Sequence, residues 1–314
     1  MDPVRQIAQA VLYEGYLLWP YRESSLKNRH RWTIGGVHPE AYGRAGGDPW
    51  LTRTECLLEA GPRDLVDVSV RFLHVVTRLR EPSSTGTGTG TGIGIGIGEE
   101  AQEREVSMPG LVLEDLLHGP VIEKIDIPAR HRSPEGGWRE LCGRIEASAR
   151  RLRPDLFRIT VEVVNTTPWP GGGREEAMRR TLVSAHTVLH APQARFVSLM
   201  DPPEDLRAET AGCDNAGVWP VLAGPEGDRH TVLAAPIILY DHPRISPESP
   251  GDLFDATEID QLLTLSVLAL SDREREEIRH GDPRARAILD RCDSLTPDEL
   301  MRLHGIMRRT EPHE

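Results

Sequence analysis

The chain has 314 residues, room for one large domain or two ordinary ones. Apolar residues make up 38% and charged residues 27%, a balance that favours folding over disorder. With 37 Lys plus Arg against 49 Asp plus Glu, the net charge of −12 works against a nucleic-acid partner, which needs a basic face. No apolar run reaches the roughly 18 residues of a membrane span.

Residues 3 to 18 predict an amphipathic helix, with Val4, Ile7, Val11 and Leu12 near helical spacing and Pro20 as its stop. Polar breaks in this opening segment are unlike a signal peptide, so a cytoplasmic location is expected. From Trp19 to Pro49 the chain is polar and aromatic-rich. Period-two alternation then predicts a strand, with Val66, Val68, Val70 and Phe72 set between Asp67, Ser69 and Arg71. A second strand region spans Trp138 to Val164. Between them, residues 86–98 read GTGTGTGIGIGIG. Glycines on alternate positions never give the odd offset of a GxGxxG fingerprint, and no GK[ST] occurs. Residues 83–100 are therefore expected to form a flexible loop. Residues 174 to 190 predict a helix with Met178, Leu182 and His186 on one face. Strands follow at 195–200 and 231–240, with Pro236 placing the latter at an edge or bulge. Four helix starts close the chain, at Asp255, Ser271, Asp282-Pro283 and Thr296-Pro297. The fold class expected is α+β: an N-terminal helix, a largely antiparallel β core over 1–250, and a C-terminal helical subdomain over 251–314.

Four cysteines without a CxxC pair argue against a disulfide framework or zinc knuckle. On a helix, His186 and His190 would share one face at i, i+4 spacing, a geometry that can ligate zinc or nickel. Cys213, Asp214 or His230 could supply a third ligand, although the zincin glutamate is missing after His186. The alternative is a pair of packed histidines. Cys213 lies in a turn-like AGCDNAGVWP context, where a nucleophile needs a base and a positive neighbour; the alternative is an idle thiol. In WPYRESSLKNRHRW, the aromatics Trp19, Tyr21 and Trp32 interleave with Arg22, Lys27, Arg29, His30 and Arg31. In an acidic chain this suits a protein partner or an intramolecular carboxylate contact better than nucleic acid. The segment ILYDHPRISPESPGDLFD is stiffened by Pro243, Pro247 and Pro250. It predicts a rigid strap, with Asp241 and His242 at a strand end and Asp252 and Asp255 at cap positions, doubling as a recognition edge; the alternative is a catalytic or metal site that uses Asp241 or His242. Asn165-Thr166-Thr167 matches a glycosylation sequon, but a turn into Pro168 explains Asn165 equally well.

Several segments resemble a known group of proteins: AVLYEGYLLWPYRESSLKNRHRW, SLMDPPEDLRA, CDNAGVWPVL, APIILYDHPRISPESPGDLFDATEID, DPRARAILDR and LTPDELMRLHG. Together they resemble an uncharacterised actinobacterial family encoded beside uptake nickel–iron hydrogenase structural and maturation genes. The resemblance covers residues 10–45 and 180–308 and carries no catalytic residues. It implies a non-enzymatic accessory or assembly factor with hydrogenase subunits or maturation factors as partners. The alternatives are a metal-binding protein or metal-dependent enzyme built on a His/Asp cluster, and a scaffold acting through the C-terminal helices.

Overall fold

Alternation with period two builds most of the chain into antiparallel sheets. The computed structural model describes residues 3–17, 35–79, 97–133 and 136–244, together with Arg275, Glu276, Arg279, Arg286, Leu289 and Asp290. The chain divides into two compact units: Met1–Tyr16 with Trp32–Arg244, and Leu17–Arg31 with Ile245–Glu314.

The first unit opens with α1 (Pro3–Leu17), α2 (Glu40–Gly46), β1 (Leu51–Glu59), β2 (Leu65–Leu79) and β3 (Ile97–Val112). Then come α3 (Leu113–His118), β4 (Val121–Ile127), β5 (Arg130–Ser133), β6 (Gly136–Trp138), β7 (Leu141–Arg153) and β8 (Leu156–Asn165). It closes with α4 (Arg174–Met178), β9 (Val183–His190), β10 (Arg195–Phe196), α5 (Arg207–Ala211), β11 (Trp219–Leu222) and β12 (Thr231–Ala235).

One sheet has the order β10-β1-β8-β7-β4. In the other, β2 is central, with β3 along one side and β9, β12 and β11 in turn along the other. The β5–β6 hairpin joins the far end of β2 through Thr77 and Gly137. One core lies between the sheets. Ile145, Phe157, Ile159 and Val161 come from the first sheet, and Val66, Val68, Val70, Phe72 and Leu189 from the second. Each such side chain contributes about 1.5–3 kcal/mol by leaving water.

The predicted N-terminal helix is α1, which buries Ile7, Ala8, Val11 and Leu12. It lies against the face of the second sheet opposite the core. There Ser184 Oγ donates to the Val11 carbonyl at 3.1 Å, and Arg71 Nη2 donates to Gln9 Oε1 at 2.5 Å.

Four expectations need correction. The helix expected over 174–190 is confined to Arg174–Met178, and Val183–His190 is a strand. This run is buried on both faces, so its apolar spacing does not discriminate strand from helix, and Val183, Thr187 and Val188 favour the strand. The strand expected over 231–240 stops at Ala235, because Pro236 has no N–H for a ladder. β12 is also internal, between β9 and β11. Finally, the segment expected as a loop through residue 100 is already strand at Ile97, where β3 pairs with Leu79. The strand expected at 195–200 is reduced to Arg195–Phe196.

The described core of the protein is thus mostly antiparallel β with few short helices. Arg275, Glu276, Arg279, Arg286, Leu289 and Asp290 are helical, and the rest of the expected C-terminal subdomain lies outside the described residues. Among the described residues, no helix is long and apolar enough to cross a membrane.

Candidate functional site

His186 and His190 stand on β9, not on a helix. Four residues along a strand span about 13 Å, far more than one ion can bridge with bonds near about 2.1 Å. His186 is buried opposite Arg71 on β2, and its Nδ1 lies 3.2 Å from the Ser184 carbonyl. Burial pushes its pKa down to about 4; the Ser184 bond opposes this and the Arg71 charge reinforces it. His190 is exposed, with Nδ1 3.0 Å from Thr231 Oγ1. The expected third ligands are engaged elsewhere. Asp214 pairs with Arg53 at 2.5 Å, and His230 Nδ1 lies 2.7 Å from the Ala194 carbonyl. Among the described residues, no group of three or more His, Cys, Asp or Glu side chains is placed to hold a metal ion.

Cys213 closes a short turn, its Sγ 3.8 Å from the Glu209 carbonyl. Burial raises the thiol pKa, with Arg158 pulling the other way, so the thiol stays protonated near neutral pH. The residues after it clamp a strand edge. Asn215 Oδ1 accepts the Glu55 N–H at 2.7 Å, and its Nδ2 donates to the Glu55 carbonyl at 3.1 Å. The amide therefore imitates a neighbouring strand along the free side of β1. Ala216 extends this with two backbone bonds to Arg53. The DNAG tetrapeptide is a cover for an open edge.

Asp241 and His242, expected at the end of the strand 231–240, lie six and seven residues past the end of β12 and bond instead to the outer edge of β11. Leu222 turns its backbone outward from β11: its N–H donates to Asp241 Oδ1 at 2.8 Å, and its carbonyl accepts the His242 N–H at 2.7 Å. Two residues earlier, Pro220 has the same outward orientation and no N–H to offer. Asp241 Oδ2 also accepts Ser198 Oγ–H at 2.5 Å, and Ser198 Oγ in turn accepts the N–H groups of Met200 and Asp201. His242 is held at φ 54°, a left-handed conformation costing a non-glycine residue about 1–3 kcal/mol. Gly35 braces the start of the segment. A Cβ there would lie 2.3 Å from Pro236 Cβ, so the backbones meet closely.

Around this braced edge stand the largest exposed apolar side chains of the region: Met200 at 47% exposure, Trp219 at 46%, Ile238 at 73% and Tyr240 at 79%. Exposed apolar groups on a rigid support are the ordinary composition of a protein-docking surface. Asp252 and Asp255, and the basic-aromatic set Trp19, Tyr21, Arg22, Arg29, Arg31 and Trp32, lie outside the described residues.

Sequence reasoning missed a second polar centre at the opposite end of the same sheet. On β2, His74 shares the core-facing side with Phe72 and is fully buried. On β3, Arg104 pairs with Phe72 and so faces the same way. Trp138 of β6 covers both: its ring centroid lies 6.2 Å from that of His74 and 4.9 Å from Arg104 Cζ. Arg130 Cζ lies 5.2 Å from the Trp138 ring, and Trp138 Nε1 donates to the Pro128 carbonyl at 3.0 Å. Burial, reinforced by the Arg104 charge, pushes the His74 pKa down to about 3; the Arg139 backbone opposes this more weakly. Burial also lowers the Arg104 pKa. The signal was present in the sequence, since counting the alternation of β2 on by one step puts residue 74 in the core. No protein-family model matches the chain, and no curated protein matches it.

Proposed function

We propose that this chain is a non-enzymatic accessory or assembly factor that binds a protein partner through the strap edge. The observation that supports this reading is the rim of Trp219, Ile238, Tyr240 and Met200 around the Asp241 anchor. Large aromatics on a pre-ordered edge lose little entropy on binding, which is how recognition hot spots are built. The partner class comes from the sequence resemblance: a subunit or maturation factor of a nickel–iron hydrogenase, met in the cytoplasm. The acidic total of −12 supports a protein partner over nucleic acid. The C-terminal helical subdomain over 251–314 and the basic-aromatic segment near 19–32 belong to the same reading as additional contact surfaces.

Affinity capture from cells expressing the hydrogenase operon tests it, using the wild-type chain and a Trp219→Ser/Tyr240→Ser double variant. Wild type is expected to retain a hydrogenase component, and the double variant to bind at least about thirtyfold more weakly. Tyr240 is mostly exposed and Trp219 about half, so urea unfolding of the double variant is run alongside to report that it is folded. Equal retention by the variant would remove the rim from the account. Failure of the wild type to retain any hydrogenase component would remove the partner.

A further inference from the structure

We propose that the outer edge of β3 docks an extended segment of a partner protein, one that alternates basic and apolar residues and adds a strand to the sheet. This edge is separate from the strap, which braces β11 on the other side of the same sheet. The ladder decides which backbone groups are open. The Leu113 N–H donates to the Asp64 carbonyl at 3.1 Å, so the even-numbered residues of β2 face β3. The bulge near Gly110 adds its extra residue on β3, and the alternation of β2 runs through it. Met108, Val106 and Arg104, opposite Val68, Val70 and Phe72, therefore spend their N–H and C=O groups on β2. Ala101, Glu105 and Ser107 turn theirs the other way. Among the described residues, no strand pairs with β3 on that side. Pro109, which has no N–H to give, falls at the next outward position.

Side chains choose the occupant. Glu103 and Glu105 lie on the face away from the core, where Arg71 is 3.4 Å from one and 3.6 Å from the other. The Glu105 side chain is still 43% exposed, and Ser107 beside it is exposed. On the opposite face Val106 is half-buried against the core. Its neighbour there, Arg104, is taken up by the Trp138 ring. A strand laid along β3 thus meets acid on one face and an apolar rim on the other. Lysine or arginine alternating with valine or isoleucine fits both. A second copy of the same edge does not. Symmetric pairing centred on Glu103, Arg104 or Glu105 sets glutamate directly opposite glutamate, and like charges facing each other oppose pairing. The charges that refuse a copy attract a basic strand.

Heteronuclear NMR of the full chain tests this, with a short peptide that alternates lysine and valine as the probe. A peptide alternating glutamate and valine is the control. The lysine peptide is expected to give saturable shifts of the Ala101, Glu105 and Ser107 amides and to slow their exchange with solvent. The Gln102, Arg104 and Val106 amides, already bonded to β2, should change little in exchange. Ser107→Pro removes an outward donor without touching the β2 ladder, and Glu105→Lys reverses the charge. Each should raise the half-saturating peptide concentration about tenfold or more. Unchanged resonances away from β3 report that each variant is folded. No saturable shift with the lysine peptide, an equal response to the glutamate peptide, or an affinity untouched by both substitutions would overturn the proposal. So would shifts of the same amides with protein concentration alone, which would mark self-pairing.

Discussion

Asn165→Ala is expected to destabilise the protein by about 2–4 kcal/mol, because it orphans two buried backbone groups, the Arg180 carbonyl and the Thr167 N–H, and strips a second bond from the Val37 carbonyl. The Asn165 amide is fully buried at the end of β8. Its Nδ2 donates to the carbonyls of Val37 and Arg180, each at 2.8 Å, and its Oδ1 accepts the Thr167 N–H at 2.9 Å. Val37 and Leu182 form a two-bond bridge beside it, so one side chain ties three chain segments together. Alanine leaves the Arg180 carbonyl and the Thr167 N–H without their partner in a buried setting. Urea unfolding of the variant checks this. A loss below about 0.5 kcal/mol, the scale of an ordinary surface substitution, would contradict it. The same burial answers the sequon question. Asn165 makes a turn, as expected, and in the folded chain its amide is closed to a glycan.

The second large effect is acid sensitivity set by two buried imidazoles. His186 and His74 have folded pKa values of about 4 and about 3, below the 6.5 of an unfolded histidine. Between those values the unfolded chain holds protons that the folded chain does not. Stability is therefore full above pH 6.5 and is lost as the pH falls towards each folded value. Each histidine contributes a slope of about 1.4 kcal/mol per pH unit, so the pair gives nearly 3. His38 acts in the same direction, since burial lowers its pKa against the pull of Asp48. Urea titrations between about pH 5 and pH 6.5 isolate the histidines, because native carboxylates mostly protonate at lower pH. His186→Phe and His74→Phe should each remove about half of the slope in that window. Stability unchanged across the window in wild type, or a slope untouched by both substitutions, would contradict the account.

Local pattern made some of this architecture readable, and remote partners hid the rest. α1 follows from the recurrence of Val4, Ile7, Val11 and Leu12, and β2 and β8 from strict alternation. β3 was concealed because its residues EEAQERE look like a solvated charged run. What makes them a strand is the long β2 ladder beside them. β9 was misread because a segment buried on both faces carries no period, and that misreading alone brought His186 and His190 together. Of the expected strap only residues 238–244 are described, and there Asp241 and His242 bond to Leu222, a partner that no local pattern marks. Its exposed rim was not, since nothing local marks Trp219 as open to solvent while Leu222 beside it is buried. The roles of Asn165 and Arg104 depend on partners far away in the chain, Val37 at a separation of 128 residues among them.

The central claim is that the braced edge carrying Trp219 and Tyr240 is where a partner protein docks. A photo-crosslinking amino acid placed at Tyr240, in cells that make the hydrogenase, tests it most directly. Ile122 on β4, exposed at 52%, is the matched control position. The account predicts a defined covalent adduct with a hydrogenase subunit or maturation factor from position 240 and none from position 122. Adducts from position 122 alone, or no protein adduct from position 240, would contradict it.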